Sequence, residues 1–98
     1  MNYLKVLWKA PDADAPVIWY SEIDDLRFET RKVGIFRDGS FGLADANTER
    51  GGLWLSEKPL PSFADIAAQS EFDPEAIDEI EFEAVWEQAI AHFSANDD

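Results

Sequence analysis

Cysteine is absent from the chain. Disulfides, thiolate nucleophiles and cysteine-ligated zinc are thereby excluded. Small secreted domains usually depend on disulfide staples, so the absence points to the reducing cytoplasm. Histidine occurs once, at His92, and no Ser–His–Asp or Cys–His constellation can be assembled around it. A lone histidine late in a helical stretch suits the helix dipole better than it suits a metal or a proton transfer. Basic residues are scarce: 8 Lys and Arg stand against 21 Asp and Glu, for a net charge of -13. Such a surface repels free nucleic acid and anionic membranes and attracts a basic protein. No apolar run approaches the roughly 18 residues of a membrane helix. The opening Met1 to Lys9 is interrupted by Lys5 and no small-residue cleavage site follows, so it does not read as a signal peptide. The glycines at 39, 42, 51 and 52 lie in no strand–glycine-rich–helix unit, so no phosphate-binding loop is expected.

What is present is enough for one core. The 98 residues are 46% apolar and 13% aromatic, with four Trp and seven Phe, a composition that folds as a single domain over 1–98. Charge divides the chain. Residues 1–56 carry nine acids and seven bases, a net of -2; residues 57–98 carry twelve acids and Lys58 alone, a net of -11. The pattern divides near the same place, into a β-sheet portion at 1–56 and an acidic helical portion at 57–98.

Leu4, Val6 and Trp8 alternate with Lys5 and Lys9, which predicts a strand over 2–9. Val17 to Tyr20 reads as a second strand, Ser21 to Asp25 as a bend, and 27–36 as a third strand. Asp38-Gly39 between apolar runs marks a hairpin. With those two residues as the loop, Phe36 faces Phe41, Ile35 faces Gly42 and Val33 faces Ala44. Residues 41–46 form the fourth strand, and Leu53 to Leu55 a short fifth. Beyond Pro59 and Pro61, Ser62 with Asp65 starts a short helix striped by Phe63, Ile66 and Ala67. Asp73-Pro74 restarts the chain. Asp78 with Glu81 resembles a capping box. Phe82, Val85, Trp86, Ala89, Ile90 and Phe93 then recur at helical spacing, which predicts a final helix that buries all six against the sheet. The tail from Ser94 to Asp98 is expected to fray. The expected architecture is α+β: a curved antiparallel sheet of four to five strands packed against C-terminal helices.

The acids carry the one chemical signal. Glu79, Glu83 and Glu87 recur at i, i+4 and i+8, and like charges so spaced cost about 0.2–0.5 kcal/mol per pair. The bland reading is a solvated helix face; the functional reading is a face kept negative for a basic partner. Most aromatics read as core. Trp19 and Tyr20 are neighbours on a strand and point to opposite faces, which leaves one of them a chance of exposure. Trp54, between two leucines beside Gly51-Gly52, also reads as core, yet tryptophan is enriched in binding hot spots.

Several segments resemble a family of small acidic bacterial proteins classed as a domain of unknown function. They are Tyr3 to Trp8, Tyr20-Ser21-Glu22, Glu29 to Gly39, Gly51-Gly52 with Leu55, Glu57, Pro59 and Pro61, and Phe82 to Glu87. The family is similar in size and charge to the immunity proteins of bacterial toxin systems. From the residues themselves neither catalysis nor a cofactor or metal is expected; the resemblance implies a cytoplasmic antidote that binds a delivered toxin. Its partner is a basic protein such as a nuclease toxin, with neither nucleic acid nor membrane bound directly. The candidate contacts are Asp73, Glu75, Glu79, Glu83 and Glu87, with Trp54 as an anchor. The alternatives are a nucleic-acid mimic that occupies the groove of a DNA- or RNA-binding protein, and a small-ligand domain with a polar pocket around Tyr20, Arg31 and Arg37.

Overall fold

A computed structural model describes residues 1–96. The chain is α+β: a six-stranded, wholly antiparallel sheet with two helices after the first five strands. In chain order the elements are β1 (Asn2–Trp8), β2 (Ile18–Ile23), β3 (Glu29–Ile35), β4 (Phe41–Asp45), β5 (Glu49–Arg50), α1 (Phe63–Ala67), β6 (Phe72–Ile77) and α2 (Glu79–Asn96). The sheet order is β5-β4-β3-β2-β1-β6. The expectation of fraying from Ser94 to Asp98 meets a helix that continues through Asn96; Asp97 and Asp98 lie outside the described residues.

Two departures from the expected sheet matter. Leu53 to Leu55 is not a strand; the fifth strand is the two-residue Glu49–Arg50 instead. The segment around Asp73-Pro74 is a strand, not a restart toward helix, so the boundary in charge at residue 57 is not a boundary in structure. β6 pairs with β1 alone, with Val6 opposite Pro74 and Leu7 opposite Asp73. An edge strand has one solvent side, so it tolerates a residue without an N–H and needs no apolar alternation.

The hairpin forms at the expected place in a different register. Ile35 faces Phe41, Gly34 faces Gly42 and Val33 faces Leu43. Only Gly39 has positive φ (87°), while Asp38 does not. A two-residue I′ loop needs both. The loop is longer instead: Gly39 N–H donates to the Phe36 carbonyl at 2.9 Å and Phe36 N–H to the Ser40 carbonyl at 2.9 Å. Phe36 therefore faces Ser40, and Phe41 is freed to meet His92, with ring centroids 5.4 Å apart. The bend expected at Ser21–Asp25 begins only at Asp24. Its carboxylate accepts from the Leu26 and Phe28 N–H groups, and Arg27 takes positive φ (71°).

Both faces of the sheet are covered. On one, Val33 and Leu43 meet Val85 and Ala89 of α2, with Tyr20, Ile35, Phe41, Trp86 and Phe93 around them. On the other, Leu4, Val6 and Ile23 meet Ile66 of α1, flanked by Trp19, Leu60 and Phe72. Trp19 and Tyr20 do point to opposite faces, but neither is exposed, because each face has its own cover. Phe82 is fully buried against Tyr3, at 5.3 Å between centroids. Of the six apolar positions expected inward on α2, Ile90 is the exception, at 44% exposure. Of the α1 stripe only Ile66 is buried. Both helix starts are capped from the side chains expected: Asp65 N–H donates to Ser62 Oγ at 3.2 Å and Glu81 N–H to Asp78 Oδ1 at 2.8 Å.

Candidate functional site

Arg31, beside a bulge in β3, centres the most connected polar group. Register between β2 and β3 shifts after the Glu22–Arg31 pair, so that Ile23 faces Glu29 and Thr30 is the extra residue. Glu22 and Arg31, the last regular pair, share the α2 face, and the bulge turns Glu29 to the other. Arg31 Nη2 lies 2.6 Å from Glu22 Oε2 and Nε 3.0 Å from Oε1, while Thr30 Oγ1 donates to Oε1 at 2.7 Å. From the other side Arg31 donates to both oxygens of Glu83 on α2. Its guanidinium carbon also sits 4.9 Å from the Phe82 ring centre and 5.1 Å from that of Trp86. The hydrogen bond from Arg31 holds the Glu22 carboxyl below the ordinary carboxylate range, against the opposing effect of burial. The two carboxylates raise the Arg31 guanidinium further above its already high value. Burial, helped by the Glu22 charge, pushes the Tyr3 phenol up.

A second buried carboxylate works on the far face. Glu29 accepts from Ser21 Oγ at 2.8 Å and from the Ser56 N–H at 2.7 Å, with Lys32 Nζ at 3.5 Å. It ties the long connection after β5 to the sheet. Its partners make it a structural anchor. Among the described residues, no group of three or more acidic, histidine or cysteine side chains is placed to hold a metal ion.

The six candidate contacts do not share one surface. Asp73 and Glu75 lie exposed on β6 and, by register with Leu7 and Lys5, project on the α2 side of the sheet. Glu79 and Glu87 are exposed on α2. Glu83, between them in the stripe, is the helix's ion-pair partner for Arg31. The repulsion read from the acidic stripe is thus relieved by a base that sequence distance concealed. Trp54 is 65% exposed, not core, and it sits on the opposite face. Tyr20, Arg31 and Arg37 do not form a ligand pocket either. Arg31 is engaged by two carboxylates, Lys5 lies over the Tyr20 ring at 5.8 Å, and Arg37 stands exposed on the hairpin loop.

Sequence reasoning missed the surroundings of Trp54. A groove of about 490 Å³ is lined by Trp8, Trp19 and Trp54 together with Asp12, Asp14 and Lys32. The spacing of these residues along the chain carries no sign of it, since the loop after Lys9 and the segment after Gly52 meet only in the fold.

Comparison with curated proteins and with solved structures gives no match. The family model described as "Domain of unknown function (DUF6881)" matches residues 2–91, and the chain belongs to that family.

Proposed function

We propose that this protein works by binding a basic protein partner through the carboxylates of β6 and the outer flank of α2. The observation that carries the reading is the state of those acids. Asp73, Glu75, Glu79, Glu81 and Glu87 are exposed, and none has an ion-pair partner among the described residues. Even Glu75, opposite Lys5 in register, is not neutralised, because Lys5 turns to the Tyr20 ring. Unpaired like charge costs stability through self-repulsion, and a basic surface offsets that cost while accelerating encounter. The chain size, the charge and the family resemblance support the narrower reading of a cytoplasmic immunity protein, non-enzymatic, that occludes a nuclease-type toxin. Edge protection supplies the competing account for Asp73 and Glu75, since charged residues and proline on an outer strand discourage pairing with other chains.

The test must spare Glu83, because reversing its charge would set two cations together at Arg31. The variant of choice is Asp73→Lys, Glu75→Lys, Glu79→Lys and Glu87→Lys together. The tagged protein is used to capture partners from the native host at about 0.05 M and 0.5 M salt, where screening lengths differ about threefold. The expected result is one basic protein, held at low salt, weakened at high salt and lost with the variant. Toxicity of that protein expressed alone, relieved by co-expression, would establish the antidote role. Equal capture by the variant, with its circular dichroism unchanged, refutes the acidic surface as the contact.

A further inference from the structure

Gly34 and Gly42 face each other across β3 and β4, on the side of the sheet away from α2. With no side chain from either, the sheet surface is bare there and Leu53 seats on it. A Cβ at Gly34 would stand 3.3 Å from Leu53 Cδ1, and one at Gly42 only 3.0 Å from Leu53 Cβ. Leu53 is buried while its neighbour Trp54 is left outside. The glycine pair therefore fixes where Trp54 stands. Trp8 and Trp19 pack edge to face at 6.0 Å beside it, so three of the four tryptophans of the chain line one concavity.

We infer that this groove receives an arginine side chain from a protein partner. Indole faces attract cations, and the guanidinium plane is the cation that both stacks on a ring and grips a carboxylate with two parallel hydrogen bonds. Both halves of that recognition are present. Asp12 and Asp14 line the groove, are exposed, and have no ion-pair partner among the described residues. The one cation in the lining, Lys32, is drawn toward Glu29 at 3.5 Å. The groove volume of about 490 Å³ is within the range of ligand sites, roughly 300–1,000 Å³, which leaves room for the residues flanking the arginine. The inference rests on the reading above for the positive charge of the partner, but it places the contact on the opposite face of the sheet from Glu79 and Glu87.

The probe is the capped peptide acetyl-Gly-Arg-Gly-amide, with lysine and citrulline in place of arginine as controls. It is titrated against the full chain while the tryptophan indole N–H signals are followed by NMR. A saturable shift at Trp54 and Trp19 is expected with arginine, a weaker response with lysine and none with citrulline, which keeps the shape and loses the charge. Trp54→Ala, and Asp12→Asn with Asp14→Asn, should each weaken binding by roughly 3- to 30-fold; Glu79→Lys with Glu87→Lys should leave it unchanged. Trp54 is exposed, so its removal does not endanger the fold. Equal binding of citrulline, no loss on Trp54→Ala, or occupation by a neutral oligosaccharide in place of the arginine peptide overturns the inference. Capture of a basic partner that survives Trp54→Ala but is lost with the β6 and α2 variant overturns the groove alone and leaves the acidic surface standing.

Discussion

Removal of the Arg31 charge is the sharpest test of how α2 is held to the sheet. In Arg31→Met the apolar stem is kept, so its packing over Phe82 and Trp86 is partly preserved. What is lost is the partner of two carboxylates in unequal surroundings. The Glu22 side chain is 10% exposed and that of Glu83 40% exposed. Stripping a buried charge of its partner costs about 3–5 kcal/mol, whereas a solvated pair contributes about 0–1. Because Arg31 is itself partly open to water, the lower end applies, at about 3 kcal/mol. Glu83→Gln, by the same reasoning, costs about 0.5–1 kcal/mol. For a domain of this size each kcal/mol moves the melting temperature by about 4–8 °C. Arg31→Met should therefore fall by roughly 12 °C or more and Glu83→Gln by only a few degrees, read by calorimetry at neutral pH. Glu22→Gln added to Arg31→Met should restore part of the loss, since the stranded buried charge is then gone. Equal losses in the two single variants, or no recovery in the double, would show that burial of Glu22 is not the source of the cost.

Gly51 and Gly52 both have positive φ, 71° and 79°, but a Cβ on Gly51 would lie 2.6 Å from the Phe41 carbonyl oxygen while one on Gly52 meets nothing within 4 Å. Gly52→Ala should cost about 1 kcal/mol from backbone strain alone, and Gly51→Ala clearly more; denaturant midpoints that come out the same would contradict the placement of this turn. The Glu22 carboxyl is held below its ordinary value of 4.5, chiefly by Arg31, so its contribution to stability is complete above about pH 4.5 and fades as the pH drops below that. Glu22→Gln should therefore flatten the acid limb of a melting-temperature profile below about pH 4.5, and a limb as steep as that of the parent would refute the coupling.

Much of the fold is legible in the residues because local rules and tertiary packing agree. The 3.6-residue recurrence from Phe82 to Phe93, the caps at Ser62 and Asp78, and the alternation of β1 all describe elements that form. Misreadings fall where a distant contact decides. β6 reads only as a restart at Asp73-Pro74 within an acidic helical portion because its one partner, β1, lies far back in the sequence. The hairpin register is off by one because Asp38, able to take positive φ, does not. Trp54 between two leucines reads as core until Leu53 is seen to take the only seat, over Gly34 and Gly42. Glu83 reads as one of three equivalent acids because Arg31, which strand alternation with Val33 and Ile35 turns toward α2, lies 52 residues away in the chain. The acidic candidates on β6 and α2 were therefore legible as exposed charge, whereas the groove beside Trp54 was not legible as a place.

The pairing of Tyr3 with Ile77 also sets a condition on how the molecule is made. β1 receives its second neighbour only after the strands and helix between Trp8 and Phe72 have been made, and closing so long a loop is slow relative to forming local contacts. Until then the outer edge of β1 stands open beside apolar residues, a surface that invites association with other chains. The acidic stretch that supplies β6 thus travels as a highly charged, soluble strand and is the last piece to seal the sheet. Cleavage between the two compositional portions would not release two folded halves; it would take the edge strand away from β1.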